Sequence, residues 1–501
     1  MPRLSKNRFT TGKRFRTVVA LGAAALIATT GLIAPSKAAA ATDPDCNLPG
    51  AVNVPNRYKV DFCVAPDQVF IFAANYKPFE YGASDNGNHQ DASATFDKII
   101  GDKLQAAFPD ADIKYATWDY PVRYEDLKAA GVVPDIVLDN PRNRIDRDLE
   151  PMGWVQDLTQ QIADAGIDLT KLNQGAVEQV KSRSDGGIYG VPIFVDDYML
   201  YYNKKIFDKF GVSYPKAGMT YAQAYKKAKK LTRDDGTDHY KGYMQHPDNY
   251  VELNQLGAYP FLDTGSEEPA PEDVKVDLTS AAYQQVASTM YQFLTIPGNN
   301  FTTVDDLVKG DMSRPGHVAM AVDTLSKLPK YEGSALFTDP DDRADFAEWN
   351  KSVDLGVAPV PVLTKGSKAT YQPNQTAAFV PPQSKHQDTA LQMIKWLTSE
   401  DGQIALSRYA LKPVLENTAT EKAFGVDIPE LDHVDTSAVF WGQNAVIKDY
   451  KNTEYWDIPY WEIFRQHVLK DGMSPSAALQ VAEATDVPAY IKAQAAAGKD
   501  W

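Results

Sequence analysis

Residues 186–212 read GGIYGVPIFVDDYMLYYNKKIFDKFGV. The runs Tyr189–Val195 and Tyr198–Tyr202 are apolar or aromatic at nearly every position, the pattern of strands covered on both faces. Between them stand Asp196 and Asp197. Burying a carboxylate costs several kcal/mol unless it is paired or hydrogen-bonded, so the chain needs a reason to place two acids inside such a run.

Working outward, the pattern is α/β. Toward the N-terminus, QVFIFAA reads as a strand, SATFDKIIGDKLQAAF as a helix with apolar residues at Phe96, Ile99, Ile100, Leu104 and Phe108, and DIKYATW as a second strand. A short helix around YEDLKAAG and a third strand, PDIVLD, follow. Strands alternating with helices imply a parallel sheet covered on both faces. Toward the C-terminus, YAQAYKKAKKLT and TSAAYQQVASTMYQFLTI have helical spacing, with TRDDGTDHY and DTGSEEPAPED as loops. DLGVAPVPVL and QTAAFVPP read as strands, and DTALQMIKWLTSEDGQIALSRYA as one long helix. No internal repeat is visible.

The chain's 501 residues, 44% apolar and 23% charged, are enough for two or three ordinary cores. Residues 1–16 carry six Lys/Arg and no acid, TVVALGAAALIATTGLIAP is apolar, and SKAAAA offers small residues for cleavage near Ala38 to Ala41. Residues 1–40 therefore read as a secretory signal peptide, followed by a linker over 41–65. The rival is a single membrane anchor, because the apolar run approaches the ~18 residues that span a bilayer. Residues 1–38 contain seven Lys/Arg and no Asp/Glu, so their removal takes the formal charge from −15 to −22. Such a surface repels phosphate backbones, which excludes nucleic acid as a partner.

Cys46 and Cys63 are the only two cysteines, seventeen residues apart. In an exported chain they read as a disulfide, worth roughly 3 kcal/mol in the chain-entropy picture. Lipidation of Cys46 is the rival, but Pro44 and Asp45 are not the small residues a lipoprotein signal requires. No His pair has i,i+4 spacing, and no nucleophile elbow, phosphate loop or dinucleotide fingerprint is present. No metal or cofactor is expected, although the loops DNGNHQD and DDGTD contain oxygen ligands that calcium could use. A glycosidase would need two carboxylates ~5–9.5 Å apart across a sugar, a geometry that sequence does not reveal.

The stretch from Gly187 to Thr232 resembles the extracellular solute-binding proteins of bacterial ABC-type sugar importers, the family of maltose-binding protein. Its shared elements are G-x-x-Y-G-x-P, then Y-Y-N-K, G-V, a proline and a helix ending in K-K-L-T. AAGVVPDIVLDN, PGHVAMAVDTL and FVPPQSKHQDTALQMIKWLTSEDGQIALSRY are also similar to family segments, and the likeness covers about residues 66–490. It implies a two-lobe periplasmic-binding-protein-like fold (type II), with three hinge crossings and a ligand cleft between the lobes. Lobe 1 would take residues 66–195 plus 360–412, and lobe 2 residues 196–358 plus 413–501.

On this resemblance the strand YGVPIFV crosses between lobes, and Asp196, Asp197 and Tyr198 reach the cleft. A carboxylate can accept hydrogen bonds from two sugar hydroxyls, and aromatic faces cover sugar C–H patches. Further ligand-binding candidates are Asn75, Tyr76, Trp118, Asp139 and Asn140 at strand ends, with Asp323, Trp441 and Trp461 from the second lobe. AVDTLS lacks the tryptophan that the family commonly carries in a Gly-Pro-Trp turn, which implies a different ligand geometry. The resemblance implies a monomeric, non-enzymatic receptor, extracellular, at the cell surface or periplasmic, that delivers a mono- or oligosaccharide to membrane permease subunits. The alternatives are a binder of a polyamine, peptide or glycerol phosphate, and a secreted glycoside hydrolase.

Overall fold

The computed structural model describes residues 43–73, 93–118, 121–245, 254–262, 270–299, 317–334, 353–446 and 458–497. The expected signal peptide, the DNGNHQD loop and the candidates Asn75 and Tyr76 lie outside the described residues.

The larger sheet begins with β1 (Gln68–Ala73), whose six residues are all buried. Its side chains alternate between faces: Val69, Ile71 and Ala73 join one apolar cluster, and Phe70 and Phe72 the other. Helix α1 (93–107) packs Phe96, Ile99, Ile100 and Leu104 into the first cluster, and contains a π-helical turn at Asp97–Gly101. Then come β2 (Asp112–Trp118), β3 (Pro121–Val122), α2 (Tyr124–Ala130) and β4 (Ile136–Asp139). Helix α3 (Gln174–Lys181) leads to β5 (Gly190–Val195).

The smaller sheet contains β6 (Tyr198–Asn203), which lies beyond the two aspartates. Helix α4 (Tyr221–Leu231), β7 (Met244–Gln245), α5 (Ala281–Leu294), β8 (Met320–Thr324) and β9 (Leu355–Pro359) follow. The chain then passes β10 (Ala369–Thr370) and returns to the larger sheet as β11 (Gln375–Phe379). Helices α6 (Gln387–Leu397) and α7 (Glu400–Arg408) precede β12 (Lys412–Pro413). Strand β13 (Gln443–Asn444) pairs with β10, and helices α8 (Tyr460–Leu469) and α9 (Pro475–Val481) follow.

Strand order is β12-β5-β11-β4-β1-β2-β3 in the larger sheet and β7-β8-β6-β9 in the smaller. The larger sheet is mixed rather than wholly parallel. Its β4, β1, β2 and β3 run parallel, but β11 is antiparallel to both β4 and β5, and β12 is antiparallel to β5. The reason is connectivity: β11 enters from the other sheet, so no helical crossover sets its direction.

Two local differences from the sequence reading have physical causes. The long helix expected over residues 388–410 is two, because Ser399 adopts an extended conformation and caps α7 by accepting from Gly402 N. TRDDGTDHY contains a hairpin pairing Arg233–Asp234 with His239–Tyr240. Cys46 and Cys63 are joined in a disulfide, Cα–Cα 5.0 Å, which holds Val52–Asn53 beside Cys63–Val64.

The motif in the opening stretch has a packing logic. Asn203, of Y-Y-N-K, caps the helix Lys204–Lys209 by accepting from Lys205 N at 3.1 Å. Pro192 cannot donate to the ladder, and the β5–β11 register shifts opposite it, at Thr376/Ala377. Gly190 sits against the Phe379 ring, which a Cβ would meet at 2.8 Å. Gly190→Ala is expected to destabilise by ~1–3 kcal/mol through overpacking, read as a lower denaturant midpoint with unchanged m-value.

Candidate functional site

The strand directions decide which candidates share an edge. Strand β5 is antiparallel to β11, and β11 to β4, so β5 points the same way as β4, β1 and β2. The carboxyl ends of these four strands therefore lie along one edge of the larger sheet. That edge carries Trp118 at the end of β2, Asp139 and Asn140 at β4, and Asp196 after β5. In the smaller sheet, β8 and β9 both end opposite the start of β6: Asp323 pairs with Met199, Thr324 with Tyr198 and Pro359 with Met199. Asp196 and Asp197 are the two-residue link between these edges, and open α/β sheets bind ligands outside the carboxyl ends of their strands.

Both link residues are buried, and protein donors engage both carboxylates. Asp196 accepts from Ser326 N at 2.7 Å and Ser326 Oγ at 2.8 Å, while its own N–H donates to Asn374 O at 2.6 Å. Asp197 accepts from Lys412 Nζ at 2.7 Å and Asn444 Nδ2 at 2.5 Å, and its carbonyl accepts from Leu325 N at 2.6 Å. The Lys412 ammonium is 1% exposed and also lies 3.4 Å from Glu416. Burial alone would lower its pKa, but the Asp197 and Glu416 carboxylates more than offset this and hold it above its ordinary value.

Asn444 connects the pair to its surroundings. Its Nδ2 also donates to Tyr371 O at 3.1 Å, and its Oδ1 accepts from Asn173 at 3.0 Å. Tyr371 packs on Tyr198, with ring centroids 5.5 Å apart. The Tyr371 hydroxyl lies 2.6 Å from that of Tyr221 and accepts from Gln245 Nε2 at 2.8 Å.

The remaining candidates have varied surroundings. Asp139 is fully buried, with Tyr124 Oη donating to it at 2.5 Å and Asn140 N at 2.7 Å. Burial pushes its pKa up to about 7, against the opposing pull of Arg144 and these hydrogen bonds. Asn140 caps the turn Pro141–Arg144 through Arg142 N and donates to Asn374 Oδ1 at 2.8 Å, so Asn140 and Asp196 meet at one residue. Asp323 is half-buried and accepts from Tyr331 Oη at 2.6 Å. Trp118 is half-buried under the Arg123 guanidinium, 5.5 Å from its ring. From β5 to β2 are four strand spacings, roughly 19 Å. Trp441 is half-buried against Gly218. Trp461 is 3% exposed inside the apolar core, its ring 5.0 Å from that of Phe464, so in this conformation it offers no open face.

Sequence reasoning did not single out Ser326, Asn374, Lys412 or Asn444. Lys412 alone carried a signal: a lysine flanked by apolar residues in YALKPVL has no reason to be there unless an acid awaits it.

The family model for bacterial extracellular solute-binding proteins matches residues 86–404. The chain belongs to that family. Among solved structures, a sugar transporter protein from Rhizobium etli in an open conformation aligns with TM-score 0.61 at 18% identity, covering 85% of this chain and 99% of that one. The cyclic α-maltosyl-1,6-maltose binding protein from Arthrobacter globiformis aligns at 0.58 and 16% identity, covering 86% and 100%. UgpB from Mycobacterium tuberculosis, in complex with glycerophosphocholine, aligns at 0.54 and 15% identity, covering 86% and 99%. At such identities the likeness establishes the fold, the two-lobe type II binding-protein architecture. A comparison with curated protein sequences finds no match. Among the described residues no helix is long and apolar enough to cross a membrane.

Asp197→Ala leaves Lys412 buried beside Glu416 alone and is expected to cost ~3–5 kcal/mol in chemical denaturation, with Lys412→Met in the same chain recovering part of the loss. For Asp139, the folded state keeps its proton up to about pH 7 while the unfolded chain releases it near the ordinary 3.8. Between these values the folded state binds more protons, so this group makes stability fall as pH rises. Asp139→Asn should flatten that slope in denaturation series across the window; an unchanged slope would assign it to other groups, of which Glu332, also raised to about 7, is one.

Proposed function

We propose that this protein is the receptor of an ABC importer that binds a mono- or oligosaccharide between two lobes and hands it unaltered to membrane permease subunits. The observation that supports this reading is the pair of strand-end edges joined by the Asp196–Asp197 link, with Asp139 and Asn140 on the larger sheet's edge and Asp323 on the smaller sheet's. Solved neighbours bearing the same fold include a sugar transporter protein and a cyclic maltosyl-maltose binder, which supports carbohydrate as the solute class.

In this reading lobe 1 comprises residues 66–195 plus 360–412, and lobe 2 residues 196–358 plus 413–501. The crossings are the link 196–197, the segment 360–374 between β9 and β11, and the passage beyond β12. The C-terminal part returns to the second lobe, where Glu483 accepts from Leu278 N and Thr279 N at 2.7 and 2.8 Å. Closing a hinged cleft around solute is an established way for such folds to convert binding into a shape that a partner reads. The protein acts as a monomer, is exported by residues 1–40, and has no lipid on Cys46, whose sulfur is in the disulfide.

Since both aspartates already have protein donors, closure must leave them as hinge fasteners or exchange a donor for a sugar hydroxyl. A thermal-shift screen of the purified mature chain against sugars tests the function. A ligand at ~100 times its dissociation constant adds ~2.7 kcal/mol, which should appear as a clear rise in Tm with at least one sugar. Stabilisation by polyamines, peptides or glycerol phosphate instead would overturn the carbohydrate assignment. Release of reducing ends from a sugar library would overturn the receptor assignment itself.

A further inference from the structure

The loop from Gly211 to Gly218 and the following helix α4 border a surface cleft of about 680 Å3. Its lining shares no residue with the edge that carries Asp196. Lys216 comes from the loop, and Lys226, Lys227 and Lys230 come from the helix; no aspartate or glutamate is among the lining residues. None of these four lysines forms an ion pair among the described residues. This concentration of positive charge occurs in a chain whose formal charge is −15.

The cleft is partly organised. Lys227 Nζ donates to Ser213 O at 2.5 Å and Ser213 Oγ at 2.8 Å, which fixes its ammonium between loop and helix. Burial, then the like charges of Lys230 and Lys216, lower its pKa. Two cations in the last helical turn, Lys229 and Lys230, have an ordinary explanation, since they complement the C-terminal end of the helix dipole. That explanation does not reach Lys226 and Lys227 in the preceding turn, nor Lys216 across the cleft. Lys226 and Lys230 stand at i,i+4, where like charges repel, and an anion between loop and helix would relieve that repulsion. The volume is that of a small-molecule site, and lysine is a well-used binder of phosphate as a point charge.

We propose that this cleft is an anion site, separate from the solute site, for a soluble ligand carrying two or more phosphate groups held by Lys216, Lys226, Lys227 and Lys230. Several phosphates are needed because four ammonium groups spread over loop and helix exceed what a single phosphate can neutralise or span. Binding weakens as salt screens the exposed charges.

The test uses inorganic tripolyphosphate as probe, titrated calorimetrically into the purified protein at low and at high ionic strength. The expected results are saturable binding that salt weakens, at least a tenfold loss of affinity in Lys226→Gln/Lys230→Gln, and no loss in Lys229→Gln, which lies on the same helix outside the cleft lining. Lys226 and Lys230 are both exposed, so the double variant keeps the fold, checked by circular dichroism; Lys216→Gln is a second, independent probe from the loop and should also lose affinity. No binding at low salt, or equal losses in Lys229→Gln and the cleft variants, would overturn the proposal. Binding to phosphatidylglycerol vesicles without binding to tripolyphosphate would also overturn it, in favour of a membrane surface. Sugar-dependent thermal shifts are read separately, so failure here leaves the carbohydrate assignment standing.

Discussion

The Asp197–Lys412 ion pair fastens the point where the two sheets meet. The partners are 215 residues apart in sequence, 2.7 Å apart in space, and their side chains are 5% and 1% exposed. Removing two charges from water costs several kcal/mol per ion, repaid only when geometry is good and the remaining donors and acceptors are satisfied. Here Asn444 completes one carboxylate and Glu416 flanks the ammonium. An apolar plug of similar volume could supply comparable stability, but it would not fix one alignment of the Asp196–Asp197 link on β12. Polar pairing supplies that specificity, since a slipped arrangement leaves a buried charge alone.

From that fastening the rest of the site takes its place. Strand β5 ends at Val195 within the larger sheet, and β6 begins at Tyr198 within the smaller, so only Asp196 and Asp197 lie between. Such a short link holds the carboxyl-end edge of one sheet next to the matching edge of the other. Asp139 and Asn140 then stand on one of these edges, at the end of β4, and Asp323 on the other, in β8. In the proposed receptor, hinge motion falls on a few linking residues that absorb the backbone change while the sheets move as rigid bodies.

Much of the fold was legible because the periodicities are strong. The all-buried β1, the amphipathic α4 and α5, and the strand ending at Asp139 follow from apolar spacing alone, and the Y-Y-N-K asparagine is a helix cap whose logic is local. The mixed sheet was not legible, because the direction of β11 depends on which sheet the chain has just left. Nor was the break at Ser399, where a single capping hydroxyl divides a run that is otherwise helical in pattern. The site was legible as a region but less so in its atoms. Asp196 and Asp197 announced themselves as acids in an apolar run, whereas their partners Ser326, Lys412 and Asn444 are brought to them only by tertiary folding. Tryptophan gave the weakest signal: Trp461 is apolar enough to serve as core beside Phe464, and residue type alone does not distinguish that use from a sugar platform.

The most direct test of the hinged-receptor account is a label-to-label distance across the joint. Both native cysteines are in the disulfide, so Glu125→Cys on α2 and Lys229→Cys on α4, both exposed, accept spin labels cleanly. Pulsed electron resonance with and without a sugar that raises Tm should show the distance distribution move by several ångströms and narrow. A distribution that stays put while the sugar is demonstrably bound would mean that no lobe closes about Asp196 and Asp197, contradicting the account.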